Sequence, residues 1–475
     1  MSKHFRVMIL GGGPAGYTAA IRCAQNGLET VLFESRQVGG TCLNRGCIPT
    51  KSLLHGAETL CTVREAASVG VNAEFCGYDL DKMYARRDEV VAKLRGGVEK
   101  LLKARKVTVV NAFASFKDAK TVVADGEEYT ADDIIIAAGS VPTALKAEGS
   151  ELCVNSDYLL EGSNEIPESV AIVGGGVIGV EFAEFLSSLG KKVFVIEYFD
   201  RLLLNMDKDV SQYLALALKK KGVSVNCGAA VTRVEKTSDG FRVIFNTAKG
   251  ENAVEAGLVV VCTGRRAFTE SLALDKAGVK TERGVVLTDG NFRTNVENIW
   301  AIGDCVGGMM LAHNAAAQGE YVADLIAGRR NGVNLKVVPS CIYTVPEIAA
   351  VGLTEQKATE AGYEVSVGKF PLGANGKSLI AGRERGFVKL VFDKKTQKLL
   401  GATLYCDRAT DMIGELALAL ANGMGKEELE RVIRPHPTVE ESIGSCASGA
   451  SRASSMTVEN NKELVKLLFW FKEIF

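Results

Sequence analysis

The chain has 475 residues, 47% of them hydrophobic and 24% charged, with a formal net charge of −1. These totals suit a soluble globular protein of about three domains and give no electrostatic case for nucleic acid or an anionic surface as partner. No charge-free apolar run approaches the ~18 residues of a membrane-spanning helix, no cleavable leader is evident, and twelve cysteines without a secreted framework's spacing predict a reducing, cytoplasmic setting.

An apolar strand is predicted almost at once (Phe5, Val7, Ile9), with His4 just ahead of it. It leads into GGGPAG at 11–16, a small-residue helix (TAAIRCAQNG), a second apolar strand (TVLFE) and the acid Glu34. In such a unit Gly11 permits a tight turn, Gly13 lets the backbone approach a pyrophosphate, and Gly16 lets helix pack on strand. The helix start presents free N–H groups to phosphate, and the acid can accept ribose hydroxyls.

Residues 36–52 follow as RQVGGTCLNRGCIPTKS, holding Cys42 and Cys47. A cysteine pair next to a nucleotide loop suggests thiol–disulfide chemistry coupled to electron transfer. Two buried cysteines, or half a metal site, are the alternatives; zinc wants closer ligands and further Cys or His, and none lie nearby. If the pair closes, it cannot lie in unbroken helix. Residues five apart there are roughly 8–9 Å apart at Cα, and a disulfide needs less than about 7 Å. Gly46 and Pro49 are the expected sites of distortion. The other ten cysteines are expected to be buried small residues.

Residues 107–139 alternate as strands that complete the first nucleotide unit. A second unit then repeats the first: VAIV, GGGVIG, EFAEFLSSLG, VFVIE and Glu197, with the same spacing from first glycine to acid. One GxGxxG is weak; two, each between strands and each with its acid, predict two dinucleotide sites. A carboxylate at 197 favours a free 2′-hydroxyl, hence NAD over NADP, although Arg201 lies close. The second unit ends near VVVCTGRR (259–266), residues 285–304 supply a strand ending at Gly303–Asp304, and from about Val338 a mixed segment forms a third domain. Four histidines are present. His436, in RPHPTVEE between two prolines, is the candidate base, because imidazole titrates near ~6.5 and can exchange protons with a thiol. Glu441 could orient it. The final stretch, KELVKLLFWFKEIF, could contact a membrane, but packing on a dimer is the favoured expectation.

GGTCLNRGCIPTK, the paired fingerprints, AIGD (301–304) and HPTVEE together resemble the pyridine nucleotide–disulfide oxidoreductases, and most of all their dihydrolipoyl-oxidising branch, from residue 5 to about 442. The resemblance implies an α/β fold of two Rossmann-like dinucleotide-binding domains plus an α+β C-terminal dimerisation domain. The expected boundaries are 1–145 for FAD, 146–270 for NAD, 271–337 as the return to the FAD domain, and 338–475 for the interface. It implies that Cys42 exchanges with substrate, that Cys47 faces the flavin, that Lys51 pairs with Glu181, and that His436 with Glu441 serves the partner subunit's cysteines. The His436–Pro437 bond is expected to be cis.

By the same resemblance, FAD contacts come from Gly11, Gly13, Pro14, Ala15, Gly16, Glu34, Gly40, Thr41, Lys51 and Ala114. Further contacts come from Gly139, Ser140, Asp304, Met310, Leu311, Ala312 and His313. Those to NAD come from Gly174, Gly176, Val177, Ile178, Gly179, Glu181, Glu197, Val231 and Gly264. No metal site is expected. Implied partners are a second copy of the chain and a lipoylated carrier, on another protein, from a 2-oxoacid dehydrogenase or glycine cleavage complex. Arg434, where the family often has histidine, is a departure expected to alter the pocket, and SIGSCASGASRASS after Glu441 leaves the C-terminal packing open. Rival expectations are a related reductase acting on another disulfide, or a flavin-bearing scaffold without turnover.

Overall fold

A computed structural model describes residues 3–455, with side chains through residue 449. The stretch at 457–475, expected to pack on a dimer, lies outside the described residues. Packing divides the chain into two compact units, one reaching to Leu202 and resuming over Ala217–Leu335, the other formed by Leu203–Leu216 and the residues from Lys336 onward.

The first unit holds a mixed sheet with a parallel centre and two antiparallel pairings at one edge, and a second sheet that is wholly parallel. Strand β1 (Lys3–Leu10), helix α1 (Pro14–Gln25) and strand β2 (Thr30–Phe33) open it. Both strands run as near-continuous apolar residues because the sheet is covered on both faces; Val7, Met8, Ile9, Val31 and Leu32 are fully buried. His4 lies within β1 rather than before it, its ring bonded to Thr130 at 3.0 Å across the sheet. The strand order is 108–110, 30–33, 3–10, 127–136, 121–124, 114–116, with Ile299–Ala301 also pairing on 127–136. The return strand therefore completes a sheet begun nearly 300 residues earlier.

The second sheet repeats this plan, in the order 224–227, 192–197, 169–173, 258–261, 154–155, all parallel. A three-stranded antiparallel meander, residues 230–256, packs its apolar face against it.

The other unit carries a five-stranded antiparallel sheet, ordered 340–342, 347–352, 399–406, 387–393, 365–371. Helices Ala409–Ala421 and Glu441–Ser455 cover one apolar face. The serine- and glycine-rich run after Glu441 is thus helical, and it packs through Ile443, Cys446 and Ala447. Small residues at that spacing let the helix lie close on the sheet.

Candidate active site

Helix α2 (Gly40–Arg45) and helix α3 (Cys47–Glu65) are separated by Gly46 alone. Gly46 has φ −143° and ψ −111°, outside the helical region, so the chain folds back and the Cys42 and Cys47 Cα atoms come within 4.7 Å, joined by a disulfide. A Cβ on Gly46 would sit 2.9 Å from the Thr41 carbonyl oxygen. Pro49 adds no second break. It lies in the first turn of α3, where a missing N–H leaves no helical bond unmade. Asn44 steadies α2 from its side chain, donating to the Gly40 carbonyl at 3.0 Å and the Val38 carbonyl at 3.1 Å. Both cysteines are half-buried.

One turn along α3, Lys51 reaches the second nucleotide unit. Its Nζ stands 2.9 and 2.8 Å from the two oxygens of Glu181, which is 3% exposed. Glu181 lies early in helix Val177–Ser188, where a carboxylate is buried only if a cation meets it. The disulfide and the tie between the two nucleotide units thus stand on one helix.

Both nucleotide loops are built alike. Gly11 and Gly174 have φ of +110° and +114°, a region that glycine enters freely. A Cβ on Gly16 would overlap the Gly11 carbonyl, and one on Gly179 the Gly174 carbonyl. The acids are already engaged: Gly12 N–H donates to Glu34 at 2.9 Å and Gly175 N–H to Glu197 at 2.5 Å. The other oxygen of each acid accepts a backbone N–H beyond the strand, from Arg36 at 2.8 Å and from Phe199 at 2.7 Å. Gly13 and Gly176 sit at the caps of the two helices, followed by Pro14 and Ala15 in one and by Val177 and Ile178 in the other. Gly39 N–H donates to the Gly12 carbonyl at 2.8 Å, and a Cβ on Gly40 would lie 2.5 Å from Gly13 Cα. This docks α2, with Thr41, against the first loop. The residues fit a dinucleotide in each cradle: tight glycine turns, a helix N-terminus, and a fixed acid. Arg201 lies 3.5 Å from the Asp200 carboxylate.

A third group closes the first unit. Ser140 donates to Asp304 at 2.5 Å and accepts from Arg265 Nε at 2.7 Å, while Arg265 Nη2 donates to the Ser140 carbonyl at 2.6 Å. Burial lowers the Arg265 pKa, and Asp304 opposes that. Sequence reading singled out neighbouring Gly264 but not Arg265; its signal was an arginine at the end of a buried strand. Gly139 and Gly264, at φ +76° and +112°, turn the chain on either side. Met310 and Leu311 precede helix Ala312–Ile326, which begins with Ala312 and His313, and its Gln318 accepts the Gly303 N–H at 2.7 Å. Ala114 lies in the buried core of the first sheet, and Val231 packs on the core beside the second.

In the other unit, His436 Nδ1 stands 2.8 Å from Glu441 Oε1, and Thr438 N–H donates to Glu441 Oε2 at 2.9 Å. The Thr438 N–H, then His436, hold the Glu441 carboxyl below its ordinary range. With Nδ1 bonded to the carboxylate, Nε2 is left for proton exchange. The His436–Pro437 bond is cis. Arg434 pairs with Glu415 and donates to the Leu429 carbonyl at 3.0 Å.

The remaining cysteines do not all follow expectation. Cys23, Cys262, Cys305, Cys406 and Cys446 are buried, but Cys61, Cys153, Cys227 and Cys341 are only partly so, and Cys76 is exposed. Burial pushes the Cys23, Cys262, Cys305 and Cys446 thiols up to about 12, far from nucleophilic at neutral pH. Among the described residues no cluster suits a metal ion, and no helix is long and apolar enough to cross a membrane.

The family model for pyridine nucleotide-disulphide oxidoreductases matches residues 5–319, and that for the family's dimerisation domain matches 338–447. The dihydrolipoyl dehydrogenase of Thermus scotoductus is 40% identical over 445 residues, covering 93% of this chain and 96% of its own. One from Bacillus subtilis is 39% identical, over 95% of this chain and 98% of its own. Among solved structures, the HOCl-induced flavoprotein disulfide reductase RclA from Escherichia coli superposes with a TM-score of 0.83 at 30% identity, covering 94% of this chain and 99% of that one. With both family regions matched in order around a bridged Cys42–Cys47 pair, the chain belongs to the pyridine nucleotide–disulfide oxidoreductases.

Proposed function

We propose that the chain is an FAD-dependent dihydrolipoyl dehydrogenase, oxidising protein-bound dihydrolipoyl groups to lipoyl and reducing NAD. The observation that carries this is the Cys42–Cys47 bridge on the same short stretch whose Lys51 binds Glu181 of the second nucleotide unit. The names of relatives about 40% identical over nearly the whole chain support the substrate class.

In this reading residues 1–145 and 271–337 hold FAD, 146–270 hold NAD, and 338–475 form the interface of a homodimer. FAD held in the first cradle, at Gly11, Gly13 and Glu34, would supply the two-electron acceptor between the reduced cysteines and NAD held in the second. His436 removes the proton of one substrate thiol, and Glu441 holds the ring through Nδ1. The thiolate attacks Cys42 Sγ; a substrate–Cys42 bond forms, the Cys42–Cys47 bond breaks, and Cys47 leaves as thiolate. The second substrate thiol attacks the substrate sulfur of that bond, its proton passing to the departing Cys42 sulfur. A cyclic substrate disulfide departs, and Cys42 is left reduced. Glu197, held by loop N–H groups with Arg201 turned to Asp200, disfavours a 2′-phosphate and supports NAD. The partner is a lipoylated carrier of a 2-oxoacid dehydrogenase or glycine cleavage complex, in the cytoplasm.

The test is dihydrolipoamide-dependent NADH formation by the purified holoenzyme. Cys47→Ser is expected to abolish it; full activity retained in that variant would overturn the relay.

A further inference from the structure

The turn that carries His436 is held from beneath by a cation outside the His436–Glu441 pair. Arg434, two residues before the histidine, has its side chain only 5% exposed and ion-paired to Glu415 on helix Ala409–Ala421. Its Nη1 donates to the Leu429 carbonyl at 3.0 Å. The same nitrogen lies where Gly444 leaves room: a Cβ there would stand 2.8 Å from it. Gly444 belongs to the helix that Glu441 begins. One guanidinium therefore presses on the helix that presents the carboxylate and, through the chain, fixes the start of the turn that presents the imidazole. Among the described residues its Nε is buried without a hydrogen-bond partner, a cost that surface placement would have avoided. Burial raises the Glu415 carboxyl, Arg434 opposes that, and the charge of Glu440, the neighbour of Glu441, raises it further, so the group that receives Arg434 lies near the same turn.

We propose that Arg434 is a positioning residue that sets the distance between His436 and Glu441 by bracing their turn and helix against Glu415 and Gly444. The proposal rests on the dithiol-oxidation reading for its kinetic consequence. Misplacing a catalytic group by an ångström can cost up to about a hundredfold in rate.

In the holoenzyme, Arg434→Met is expected to lower kcat with dihydrolipoamide about tenfold, with the KM for NAD and the bound flavin at wild-type levels, and Arg434→Lys to recover part of the loss. Gly444→Ala, which pushes on the guanidinium without removing it, is expected to lower kcat in the same direction and serves if Arg434→Met does not fold. Proton NMR reads the contact without turnover: the downfield imidazole N–H of the His436–Glu441 bond should weaken in Arg434→Met. Wild-type kcat together with an unchanged imidazole signal in that variant would overturn the proposal. A wild-type enzyme inactive on dihydrolipoamide would defeat the functional reading instead, leaving the NMR comparison to decide this one.

Discussion

Gly46 shows how much one residue decides here. Cysteines five apart cannot close in continuous helix, and the break that closes them needs a residue without Cβ, because a methyl would stand 2.9 Å from the Thr41 carbonyl oxygen. Gly46→Ala is therefore expected to favour the open dithiol over the bridge by about 1–3 kcal/mol, the scale of an overpacked contact. Titration of the bridge against glutathione measures it, and an equilibrium equal to wild type would contradict the steric argument. The need for a distortion was legible from spacing alone. Its location was half legible: proline was named beside glycine, but three residues into a helix proline breaks nothing.

At the scale of elements, α1 and helix Ala312–Ile326 are joined across nearly 300 residues of sequence. Arg22 Nε and Nη2 donate to Asp324 at 2.7 and 2.9 Å, and Asn26 and Asn331 add bonds at 2.9 and 2.8 Å. The Arg22 hydrogen bond above all holds the Asp324 carboxyl below its ordinary range. A depressed carboxylate adds stability above its unfolded pKa, near ~3.9, and loses it as pH falls through the lower folded value. Asp324→Asn is thus expected to cost about 1–3 kcal/mol at pH 7. The gap from wild type should stay level down to about pH 5 and shrink below about pH 4, as urea unfolding across pH would show. The strand–loop–helix units were legible because periodicity and glycine spacing are local signals. Arg22–Asp324 was not, and neither was Lys389, an alternating strand residue that proved buried among Asp207, Asp209 and Glu355. Such pairs are set by tertiary approach, to which a single sequence gives no pointer.

For the whole molecule, the predicted division of labour puts the base of one subunit at the cysteines of the other. Cys47→Ser and His436→Gln, each inactive alone, then complement one another. A mixed dimer holds one site with both cysteines and the histidine intact. Random reassembly of equal amounts should restore about a quarter of wild-type activity, whereas a site built within one chain would recover none. The order of the two nucleotide units could be read from repeated motifs, and the interface role of the third domain from the family resemblance. The helix after Glu441 could not, because small polar residues carry little helical periodicity until a sheet is there to receive them.

Glu34 and Glu197 each bind a backbone N–H of their own glycine loop. A flexible glycine ribbon would have to freeze when its guest came, and that loss of freedom would be subtracted from affinity. Here hydrogen bonds within the chain supply part of that stiffening, which lowers the ordering cost a nucleotide would bear.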